Sequence, residues 1–182
     1  VDVLALIASC SLYGDTDFVH AIIRVHSRGL PNFVADTSGR HMPTYALSQS
    51  AGKAALATLT TSAARPVIGL LSVPSIWATT VGEAPESLFD GCLNIRIGSA
   101  QLAHFARACK DESPASAAED LRPCIAGLYG EAIGLPELPE AVAASLRYWR
   151  AVKVARRTAK TASDSEDAAD LFLELSDVAV GE

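Results

Sequence analysis

Apolar residues recur with a helical period along most of the chain. Residues 2–9 read as a short first helix. In FVHAIIRVHS, Phe18, Ile22 and Val25 fall at i, i+4 and i+7, and Ala21 and Ile23 widen the stripe, so this segment predicts a helix with one buried face. Asp15 or Asp17 caps it, and Gly29 and Pro31 end it. Residues 31–45, rich in Gly, Pro, Asn and Asp, read as a loop or irregular hairpin. A helix is expected over 48–61, broken at Arg65-Pro66. VIGLLSVPSIW follows as an apolar, turn-like run punctuated by Gly69 and Pro74. Asn94 is read as the cap of IRIGSAQLAHFARAC, a helix ending at Cys109 with Ile95, Gly98 and Leu102 facing inward. The small Gly98 would let a neighbour approach, at some cost in helix propensity. Residues 121–133 are helical, Gly134, Pro136 and Pro139 make a turn, and Pro139 opens a long helix over 140–160. No stretch alternates as a strand would, so the expected class is mostly α. The expected organisation is one domain, 1–157, and a flexible linker with an acidic amphipathic tail, 158–182.

Composition supports close-packed helices. Of the 182 residues, 49% are hydrophobic, with Ala prominent, and only 6% are aromatic. A net charge of −6 argues against a nucleic-acid binder, which carries a basic face. No apolar run reaches the ~20 residues that span a bilayer. Residues 1–9 are apolar but lack a basic start and are too short for a complete signal peptide. None of the four cysteines sits in a CxxC pair, and His20, His26, His41 and His104 lack ligand spacing, so neither a metal nor a cofactor is expected. Four cysteines allow three pairings. Cys109 and Cys124 bracket the polar loop KDESPASAAEDLRP, which a disulfide would close, leaving Cys10 and Cys92 for a second bridge. The alternative is four buried free thiols.

Three segments carry the candidate chemistry: IIRVHSRGLPNFVAD (22–36), GLLSVPS (69–75) and IAGLYGEA (125–132), with LFDGCLNIRIGSAQL (88–102) between the last two. Over residues 1–157, their order and spacing resemble lytic transglycosylases, most closely the small periplasmic ones of type IV secretion systems. That family reads helix, Glu-Ser-x-x-x-Pro, Gly-Leu-Met-Gln-Ile, a Cys with an Asn-led helix, then Ala-Tyr-Asn. Its members also have cysteines where Cys10 and Cys92 stand. The resemblance implies a lysozyme-like fold, export to the periplasm by a signal peptide since removed, and contact with peptidoglycan glycan strands and secretion-system subunits. It further implies a cleft at Ser27, Ser72, Tyr129 and Glu131.

The chain departs from that pattern at the points where the reaction needs it most. Cleavage requires a carboxylic acid that protonates the leaving oxygen, with its pKa raised by an apolar pocket. At the position of that Glu stands His26, at the Gln stands Ser72, and the Asn after the Tyr is Gly130. Burial lowers a His pKa where it raises a Glu pKa, so the pocket that arms a Glu disarms a His. Ser27, Pro31, Gly69, Leu70, Asp90, Cys92 and Asn94 keep the framework. The expectation is a catalytically impaired protein that binds glycan or secretion-system subunits. Its rivals are an active enzyme with a non-standard acid, such as a displaced Glu131, and an unrelated small helical interaction protein. Glu83 and Asp36 read as solvated loop and turn residues. Arg147, Arg150, Lys153, Arg156, Arg157 and Lys160 form a basic stripe, read as a solvated face or a contact for an acidic partner, and residues 167–180 read as a docking peptide or a frayed end.

Overall fold

The structure, a computed structural model, describes residues 2–61 and 64–163, with side chains described as far as Arg156. Its contacts divide the chain into a unit at Val1–Ser145 and a second from Leu146 onward. Seven α-helices occur among the described residues: α1 (Val3–Cys10), α2 (Thr16–Val25), α3 (Gln49–Thr60), α4 (Ser75–Thr80), α5 (Gly91–Glu112), α6 (Arg122–Ile133) and α7 (Leu138–Ser163). The mostly helical class therefore holds.

Caps set the helix starts. Asp2 accepts from Leu4 N and Ala5 N, Asp15 from Phe18 N, and Ser48 from Ala51 N, each satisfying an orphan first-turn donor. Asp15 also pairs with Arg122 at 2.7 Å, tying the start of α2 to the start of α6. The expected Asn94 cap is corrected: Asp90 caps α5, accepting from Leu93 N at 2.8 Å, and Asn94 lies inside the first turn. The helix also runs past Cys109 to Glu112.

The second correction is a sheet. Four short strands, β1 (Asn32–Asp36), β2 (Thr44–Ala46), β3 (Pro66–Ile68) and β4 (Val73–Pro74), pair antiparallel in the order β2-β1-β3-β4. The irregular hairpin is thus β1–β2, and the apolar run VIGLLSVPSIW resolves into β3, a tight turn, β4 and α4. All residues of β3 and β4 are buried, so they show no alternation to read.

Phe18, Ile22, Phe33, Ile68, Leu71 and Ile95 are fully buried at the centre of the first unit. Ile95, Gly98 and Leu102 face inward as expected. Cys10–Cys92 joins α1 to α5, and Cys109–Cys124 joins α5 to α6, so no described cysteine is free. No described helix is long and apolar enough to cross a membrane. In the second unit, α7 continues to Ser163, with Tyr148 and Trp149 in edge-to-face contact at 5.4 Å. Arg147, Arg150, Lys153 and Arg156 are exposed there. The tail at 167–180 lies outside the described residues.

Candidate functional site

The turn between β3 and β4, residues 69–72, is bonded from several elements of the first unit. Asn94 of α5 accepts from Leu71 N (2.8 Å) and donates to Ile68 O (2.7 Å) and Leu88 O (3.0 Å). Ser27, just beyond α2, donates to Leu70 O at 2.6 Å and lies 3.0 Å from Ile23 O. Tyr129 of α6 donates to Leu71 O at 2.8 Å. Gly69 N donates to Phe33 O in β1 at 2.8 Å. Gly69 has φ +77°, and a Cβ there would collide with the Asn94 side chain and stand 2.7 Å from Leu88 O. Only glycine tolerates both demands. Three helices and a strand therefore converge on four residues.

This knot contains most of the expected site, turned inward. Ser27, Ser72 and Tyr129 are fully buried. The hydroxyls of Ser27 and Tyr129 are committed to backbone carbonyls, and burial pushes the Tyr129 phenol far above its usual pKa. Ser72 sits at φ +53°, a left-handed conformation unusual for a residue with a Cβ, and its buried Oγ has no hydrogen-bond partner. Gly130 has no room for the expected Asn. A Cβ there would collide with Leu135 O and lie 3.0 Å from Leu138 Cβ, because the turn into α7 folds back and Leu135 N donates to Gly130 O at 2.7 Å.

His26 follows the last turn of α2 as its C-cap, with its backbone N–H bonded to Ile22 O. Its ring packs edge-on against Phe33, centroids 4.9 Å apart, and its buried Nδ1 has no partner. Burial pushes the imidazole down to about 4, against the opposing pull of the Glu137 carboxylate. Arg28, at φ +57°, turns its guanidinium over the Tyr45 ring at 4.6 Å, and Tyr45 in turn contacts Phe33.

Glu131 lies elsewhere. It is exposed and lines a hollow of about 640 Å³ with Thr37, Arg65, Pro74, Ser75 and Trp77. A second hollow, about 450 Å³, lies on another side of Trp77 and includes Glu83, Arg96 and Gln101. Neither has His26, Ser72 or Tyr129 in its wall. Asp36, expected in a loop as a turn residue, is instead the buried last residue of β1 and opens the turn that follows, accepting from Ser38 N and also from Arg65 N at 3.2 Å. Sequence reasoning missed Arg65 and Trp77; the available signal was a tryptophan, one of two in the chain, inside an apolar run. Among the described residues no group of three or more His, Cys, Asp or Glu is placed to hold a metal ion. Compared with protein-family models, curated proteins and solved structures, the chain matches none.

Proposed function

We propose that this chain is a lysozyme-like, lytic-transglycosylase-type protein of the cell envelope that binds peptidoglycan, secretion-system subunits or both, without cutting glycan. The sealed cleft positions are the observation that carries the absence of cutting, and the binding partners rest on the resemblance of the segments at 22–36, 69–75 and 125–132. Ser72 and Tyr129 are interior, and the turn after α6 occupies the space where a side chain at 130 would reach. A glycan strand has no polar group to meet at these three positions.

The acid position supports the same reading. Glycoside cleavage of this type needs a group that holds a proton near neutrality and releases it to the leaving oxygen. With a pKa of about 4, His26 carries a proton in roughly one molecule in a thousand at pH 7. When it does, its positive charge opposes the oxocarbenium-like transition state. The retained framework has a structural use that does not require catalysis: Ser27, Asn94 and Tyr129 build the knot at 69–72. Two disulfides fit an oxidising compartment such as the periplasm.

The test combines lysis and binding. The full chain is run in a peptidoglycan zymogram, sacculi are assayed for anhydro-muropeptides, and the same preparation is spun down with purified sacculi. The expected result is co-sedimentation with no clearing and no anhydro product. Clearing that disappears in His26→Ala would restore the enzymatic reading, and absence of co-sedimentation would remove the glycan partner.

A further inference from the structure

The hollow beside Glu131 plays no part in the sealed knot, and its chemistry stands independently of any family resemblance. Its volume, about 640 Å³, lies within the ~300–1,000 Å³ range of small-ligand sites. The fold builds its walls firmly. Pro74 pairs with Val67 across β3 and β4, and Pro66 pairs with Asp36 across β1 and β3. Asp36 accepts from Arg65 N at 3.2 Å and Thr37 N donates to Arg65 O at 3.1 Å, which fixes the Arg65 backbone at the rim. On the other side, Gly134 ends α6 in a left-handed turn so close to Thr37 that a Cβ would stand 2.6 Å from the Thr37 carbonyl. That contact anchors the last turn of α6, which carries Glu131. The half-buried Trp77 indole is braced edge-on by Tyr129, centroids 5.7 Å apart.

Arg65 and Glu131 are both exposed and both line the hollow, yet neither side chain makes an ion pair or hydrogen bond among the described residues. One guanidinium and one carboxylate thus share a concave surface with an indole in its wall without pairing with each other. A ligand with an ammonium and a carboxylate separated by several ångströms complements that arrangement. A neutral glycan could offer hydroxyls to both groups but no opposite charge to either. A single amino acid carries its two charges on one carbon and would leave much of the hollow to water. An extended tripeptide spans about 10 Å end to end. We propose that this hollow binds a short peptide by its two free termini, the carboxylate on Arg65, the ammonium near Glu131 and the chain across Trp77. Arginine suits the first role because its planar fork meets a carboxylate with two parallel N–H···O bonds.

Trialanine, N-acetyl-trialanine and trialanine amide are the probes. Binding to the full chain is followed by Trp77 fluorescence in a Trp149→Phe background and by calorimetry. Trialanine is expected to bind saturably, and capping either terminus is expected to weaken binding about tenfold, the loss of one hydrogen bond to a charged group. Arg65→Gln should abolish the penalty for amidation and keep that for acetylation, and Glu131→Gln should do the reverse. Both side chains are exposed, so unchanged thermal midpoints are expected to accompany these variants. No saturable binding of trialanine, equal affinity for all three probes, or variants that respond to capping as the parent does would each overturn the proposal. Sacculus co-sedimentation is a separate readout, so failure of the glycan reading and failure of this one are distinguishable.

Discussion

Asn94 and Ser72 are both fully buried polar side chains at the same loop, and they are treated oppositely. The Asn94 amide makes three hydrogen bonds to backbone, while the Ser72 hydroxyl makes none and its residue sits in a strained conformation. His26 resembles Ser72, with a buried ring nitrogen left unpaired beside Phe33. A buried polar group with its bonds made holds a fold together, whereas one without partners costs stability. In this molecule Asn94, Ser27 and Tyr129 bond the turn at 69–72, while Ser72 within that turn and His26 after α2 are left unpaired.

The largest expected effect breaks the saturated side. Asn94→Leu removes the bonds to Leu71 N–H and to the Ile68 and Leu88 carbonyls together, and should cost about 4 kcal/mol in urea unfolding. A loss under ~1 kcal/mol would mean that water or a shifted backbone replaces all three bonds. The next effect sharpens the unpaired side through pH. Well above pH 6.5 His26 is neutral folded or unfolded and contributes no pH dependence. As pH falls from 6.5 toward 4 the unfolded chain takes up the proton and the folded chain does not, so stability should fall by at most about 3 kcal/mol. The pH profile of His26→Gln should lack this decline, and identical profiles would remove His26 as its source.

Smaller substitutions separate the two serines. Ser27→Ala should cost about 1–2 kcal/mol, since Leu70 O loses a short bond in the interior. Tyr129→Phe should cost about 1 kcal/mol for the bond to Leu71 O. Ser72→Ala deletes a hydroxyl that bonds nothing, and should leave stability unchanged or raise it by up to ~1 kcal/mol. A loss as large as that of Ser27→Ala would show that Ser72 has a partner in solution, an ordered water being the simplest.

Much of the helical frame was legible because it is written locally. Asp2, Asp15 and Ser48 cap helices through bonds to residues two or three positions on, and Phe18 and Ile22 face the core through the helical period alone. The pairing of Cys109 with Cys124 follows a loop visible in the sequence. The sheet was not legible. Its strands are two to five residues long, and β3 and β4 are buried throughout, so they carry neither the length nor the alternation that marks a strand.

The candidate site divides along the same line. The residue types at His26, Ser72 and Gly130 were set by sequence. Tertiary structure alone decided that Asn94 is a buried clamp and not a cap, that Ser72 and Tyr129 face inward, and that Arg65, Trp77 and Glu131 share a hollow. The physical reason is range. Capping and periodicity act within a few residues, while hydrogen bonds such as Tyr129 to Leu71, 58 positions apart, exist only once the core has placed both partners.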